Sequence, residues 1–177
     1  MDHKELLNYL KDTAKQVLVE ALNLSPMFFF VNERAVIPVQ LTDMLPANII
    51  TEKISDDQKK ILSYNTAGAF ANASQIDYAA IVYEGAFISR DRSPVDVTEL
   101  ALSYPKSMRT ECIAISVIDI KSKKSSTIIV PFKGGEKEPV QFIGDEINSD
   151  DPKGSSLFFD EFFKGYNEYE KIKKETE

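Results

Sequence analysis

Apolar residues recur three and four positions apart at the start of the chain: Leu6, Leu7, Leu10, Ala14, Val17, Leu18, Ala21 and Leu22. Lys4, Asp12, Lys15 and Glu20 fall off that stripe. The spacing predicts an amphipathic helix over 2–22. Pro26 ends the helical stretch, because its ring fixes φ and it has no N–H to donate. The period then shortens. Two β-rich runs, 27–31 and 35–41, flank the polar Asn32-Glu33-Arg34 and predict a hairpin. Pro38 cannot serve a ladder, so the second strand is expected at an edge or bulged. Ser55-Asp56-Asp57-Gln58 has the form of a capping box and opens a helix over 55–73. Its two aspartates suit the positive end of the dipole, and Gly68 among alanines points to close packing.

Residues 77–89 have the pattern of a long strand, with a bulge expected at Gly85 beside Glu84. The segment 90–110 holds two prolines and many polar residues, with a short helical turn expected around Val97–Ser103; function is sought there first. Strands 111–121 and 126–132 follow, joined by Lys-Ser-Lys-Lys-Ser-Ser. Ile113, Ile115 and Val117 alternate with Cys112, Ala114, Ile118 and Ile120, so this strand is apolar on both faces. Such a strand is covered on both sides, by helices or by a partner chain on one of them. A turn over 133–139, a short strand over 139–143 and a solvated acidic loop come next. The last helix, 157–172, carries Phe158, Phe162, Tyr166 and Tyr169 on one stripe and is weakened by Gly165.

The resulting order is αββαβββα, with one extra short strand. Tight turns between consecutive strands imply antiparallel pairing. The expectation is an α+β fold in one domain over 1–177: a single antiparallel sheet of five to six strands flanked by an N-terminal, a middle and a C-terminal helix. This order resembles the profilin-like and roadblock-like arrangements. Residues 76–133 carry a second resemblance, in "YAAIVYEGAF", a Pro-containing loop, "YPKSMRTECIAISVID", a polar turn and "STIIVPF". They resemble a set of small uncharacterised bacterial and phage proteins whose pattern is Glu-Ala-aromatic at a strand end, a loop with proline, then an Arg-x-Glu-small-apolar strand and a hairpin. Glu84-Gly85-Ala86-Phe87 departs from it in spacing; Arg109-Thr110-Glu111-Cys112-Ile113 supplies the second element. The resemblance implies no activity. It implies that Glu84, Arg109 and Glu111 belong to one recurring local arrangement.

Composition narrows the functions. The net charge of −7 repels phosphate backbones, so no nucleic-acid partner is expected. The basic cluster Lys121, Lys123 and Lys124 reads as a solvated hairpin tip. Charges run through the N-terminal stretch, and no segment has the apolar length of a membrane span; a cytoplasmic protein without membrane contact is expected. One cysteine permits no internal disulfide.

Chemistry is limited in the same way. The one histidine, His3, reads as a solvated terminal residue, and Cys112 in an apolar strand reads as core filler. Structural zinc lacks ligands within one chain. Asp145, Glu146, Asp150 and Asp151 offer oxygens for a cation, but an EF-hand frame begun at Asp150 puts Pro152 and Ser155 where a ligand and a glycine belong. Gly134-Gly135 is followed by neither Lys-Ser/Thr nor a helix signal, so it is a turn. No cofactor or metal is expected. Glu84, Arg109 and Glu111 remain, with Tyr83 and Tyr104 beside them, beneath the 90–110 segment. They suit either a salt bridge tying that segment to the sheet, the favoured reading, or a carboxylate pair with an arginine able to grip a polar ligand or move protons. The leading functional expectation is a non-catalytic protein-interaction or assembly module, self-associating as a homodimer or bound to a protein partner. Phe28–Phe30 and the Phe158–Tyr169 stripe support it. The alternative is a small ligand-binding regulator or enzyme built on the Glu/Arg/Glu cluster.

Overall fold

The structure is a computed structural model that describes residues 2–45, 54–90, 93–95, 109–135, 138–151 and 157–176. Helix α1 spans His3–Ala21 and opens on a capping box: Asp2 Oδ1 accepts the Glu5 N–H, and Glu5 Oε2 accepts the Asp2 N–H, each at 2.8 Å. His3 therefore opens a capped helix and is half-buried, rather than lying on a solvated end. Leu6, Leu7, Leu10, Ala14 and Leu18 form the buried stripe. Leu22, at φ 59°, closes the helix in the left-handed region.

Strands β1 (Met27–Val31) and β2 (Val36–Gln40) form the expected hairpin, and a single 3₁₀ turn (Leu41–Met44) follows, taking Leu41 from the end of the expected strand. Helix α2 (Asp56–Ala73) carries the Ser55/Gln58 capping box. Then come β3 (Tyr78–Arg90), β4 (Ser93–Val95), β5 (Thr110–Asp119), β6 (Lys124–Gly135), β7 (Glu138–Phe142), β8 (Ile147–Asp151) and α3 (Leu157–Thr176).

The fold is α+β, with one antiparallel sheet and N-terminal, middle and C-terminal helices. The strands are ordered β2-β1-β3-β5-β6-β7, with β4 on β3 and β8 on β6. Two short strands exceed the expected set. β4 folds back on β3, pairing Arg90 with Ser93 and Ile88 with Val95; three residues are too few to show a period. β8 lies where composition reads an acidic loop. Its Asn, Ser and Asp residues carry no apolar alternation, and backbone pairing makes it a strand. The expected helical turn at 97–103 lies outside the described residues.

Each end of the strand order bears a proline: Pro38 in β2 and Pro139 in β7, both exposed. β7 also shifts register against β6 between Lys133 and Gly135. Proline and irregular pairing blunt a sheet edge against adding a further strand.

The contacts divide the described chain into two compact units. The first contains α1, most of β3, the start of β5, most of β6, and β7. Here α1 lies along β7: Lys15 Nζ stands 5.2 Å from the Phe142 ring centroid, and Lys11 and Lys15 bond Glu146 at 3.0 and 2.8 Å.

The second unit contains β1, β2, α2, the β5–β6 turn and α3. Phe28 and Phe30 are fully buried on one face of β1. Phe28 lies 6.0 Å from the rings of both Tyr64 and Phe158, while Phe30 meets Phe70 at 4.8 Å. Helices α2 and α3 run in the same direction in a four-residue register. Tyr64 meets Phe158, Gly68 meets Phe162, and Asn72 Nδ2 donates to the Tyr166 carbonyl at 3.1 Å. The contact is close enough to need glycine on both helices: a Cβ on Gly68 would fall 1.9 Å from the Phe162 oxygen, and one on Gly165 would fall 1.9 Å from the Asn65 oxygen.

Strand β5 crosses both units, and Cys112 through Ile118 are buried without interruption. One chain fills both of its faces, so a partner chain is not needed to cover it. Among the described residues, no helix is long and apolar enough to cross a membrane.

Candidate functional site

β3 is buried residue after residue from Ala79 to Val82, then opens at Tyr83 and Glu84 before burying again. Glu84 is the first charged side chain on this strand. Its Oε1 accepts the backbone N–H of Leu24, a buried residue in the connection between α1 and β1. The carboxylate thus completes a backbone donor that neither α1 nor β1 uses.

The neighbouring strand supplies the rest. β5 is next to β3 in the sheet, and Glu111 lies near its start. Arg109 Nε donates to Glu111 Oε1 at 2.9 Å, and both side chains are largely shielded. The pair is local, joining residues two apart at the strand entry, where successive odd positions share a face. It holds Arg109 against the first residues of β5.

Although Glu84 as a whole residue is exposed, partial desolvation of its carboxyl is the largest cause and pushes it above the ordinary glutamate value. The Leu24 N–H works against that by favouring the anion, and the Glu111 charge adds to the rise. Two carboxylates on adjacent strands therefore differ in setting. Glu111 has a guanidinium partner, while Glu84 has a backbone N–H and a like charge nearby.

Tyr83 is half-buried and, as the residue next to Glu84 along β3, faces the other side of the sheet. Tyr104 lies outside the described residues. Cys112 is 2% exposed. Sequence reasoning missed Leu24, because its contribution is a backbone N–H sixty residues from Glu84. It also read Glu146 as solvated, whereas Lys15 and Lys11 hold its carboxyl below the usual glutamate range by hydrogen bonds. Among the described residues, no three His, Cys, Asp or Glu side chains gather as a metal ion would require. Compared with models of known protein families, with curated proteins and with solved structures, the chain matches none.

Proposed function

We propose that this chain is a non-catalytic protein-interaction module that self-associates through the outer surface of α1 and β7. One observation carries the reading. Four large apolar side chains of these two elements remain in water: Tyr9 (48%), Val17 (39%), Val19 (50%) and Phe142 (39%). Val19 stands one turn beyond Lys15, and Lys15 covers the Phe142 ring. Val19 and Phe142 flank Lys15, with Lys11 and Glu146 beside them, and apolar side chains rimmed by charge have the make-up of an association surface. The blunted edges of the sheet argue that association proceeds through side chains and not through strand addition.

Light scattering over a concentration series tests this. The mass is expected to rise towards twice that of one chain, and Val19→Ser with Phe142→Ser is expected to restore the single-chain mass. A single-chain mass at every concentration overturns it.

A second reading, a small ligand-binding regulator or enzyme, is favoured by the raised carboxyl of Glu84 beside Glu111 and Arg109. Perturbed carboxyls gather at sites that bind or transfer protons. Protection of the melting transition by a small cationic or amide ligand, lost in Glu84→Gln, would support it; no ligand-dependent shift in either protein overturns it.

A further inference from the structure

The β5–β6 turn and the end of α3 are distant in sequence but adjacent in the second unit. Lys123 Nζ stands 5.8 Å from the centroid of the Phe163 ring, and its charge also acts on the Glu170 carboxylate. At roughly 100° per residue, Glu170 and Lys174 lie in the row running up α3 from Phe163, with Lys171 and Lys173 to either side. Glu168 and Glu175 fall on the far side of that helix. Lys174 bonds Glu170 at 2.9 Å. Lys121, Lys123 and Lys124 of the turn thus join Lys171, Lys173 and Lys174, all six exposed, with Glu170 on the helix and Asp119 capping the turn at Ser122 as the acidic groups beside them. The chain as a whole carries a net charge of −7, so a local group of six lysines stands out against it.

We propose that this lysine platform docks a short acidic segment of a partner polypeptide. The inference rests on the reading of the chain as an interaction module and adds a second surface with its own ligand chemistry. Charge decides among the polyanions. A nucleic acid or an anionic membrane extends well beyond the Debye length of about 8 Å and meets the acidic remainder of the protein. A short acidic segment ends where the platform ends. Lysine ammoniums on flexible stems act as point charges and accommodate carboxylates without fixed spacing.

The test is fluorescence anisotropy of a fluorescein-labelled polyglutamate peptide titrated with the full chain. Two variant pairs are used, Lys121→Ser with Lys124→Ser and Lys171→Gln with Lys173→Gln. Lys123, at φ 53°, and Lys174, bonded to Glu170, are left in place to protect the fold. Saturable binding is expected, weakened about tenfold by either pair and more by both, with unchanged circular dichroism. Absence of saturable binding, equal binding by the variants, or tighter binding of an RNA oligonucleotide or of phosphatidylserine vesicles at the same salt overturns the platform. Light scattering on the same variants separates the two proposals, because the substituted lysines belong to elements other than α1 and β7. Self-association without peptide binding refutes the platform alone, and peptide binding by a strictly monomeric chain refutes only the self-association.

Discussion

Gly68 of α2 and Gly165 of α3 are set into each other's helices reciprocally, each with its Cα against a backbone carbonyl of the opposite helix, that of Phe162 and that of Asn65. The carbonyls belong to rigid helical backbone, so neither can swing aside. In an ordinary helix, replacing glycine with alanine gains about 1 kcal/mol. Here the sign is expected to reverse: Gly68→Ala and Gly165→Ala should each cost about 3 kcal/mol, lowering the melting temperature by roughly 10 °C. Thermal denaturation followed by circular dichroism checks this, and a stabilised alanine variant would refute the close contact.

Glu84 gives a pH dependence of defined sign. Its folded carboxyl titrates above the ordinary value, so its contribution to stability is complete below the unfolded value. That contribution is lost as pH rises through the raised folded value. Glu84→Gln keeps an acceptor for the Leu24 N–H and removes the charge. Urea unfolding of this variant should be no weaker than wild type at neutral pH and should lose the wild-type decline between acid and neutral conditions.

Glu111 sits on the same balance. Its charge is one of the causes that raise Glu84. In Glu111→Gln the Glu84 titration, followed by carboxyl carbon NMR, should move downward. An unmoved or higher Glu84 titration would mean that the two carboxylates do not sense each other.

Glu146 behaves oppositely. Lys15 and Lys11 lower its carboxyl, so its stabilising contribution is present above the ordinary glutamate value and lost as pH falls through the folded one. Both bridges are partly exposed. Glu146→Gln should therefore cost about 1 kcal/mol at neutral pH and low salt, with the cost shrinking as salt is added. Chemical denaturation at two salt concentrations measures it.

The chain's local patterns determined much of this molecule. The α1 stripe, both capping boxes, the β1–β2 hairpin and the doubly buried β5 follow from periodicity and end-capping chemistry, which act within a few residues. Pro38 likewise announced its edge position, because a missing donor is a local fact. Tertiary structure alone decided what depends on distant backbone. β8 is a strand through pairing with β6, not through its own residues. Gly165, a mere weakness when α3 is considered alone, is the clearance that lets Asn65 approach. Glu84 found an acceptor's role at Leu24, sixty residues away. Two runs of lysine, each unremarkable by itself, became one platform when Lys123 came to rest over Phe163. Periodicity records which face a residue turns inward; only packing decides which distant group meets it there.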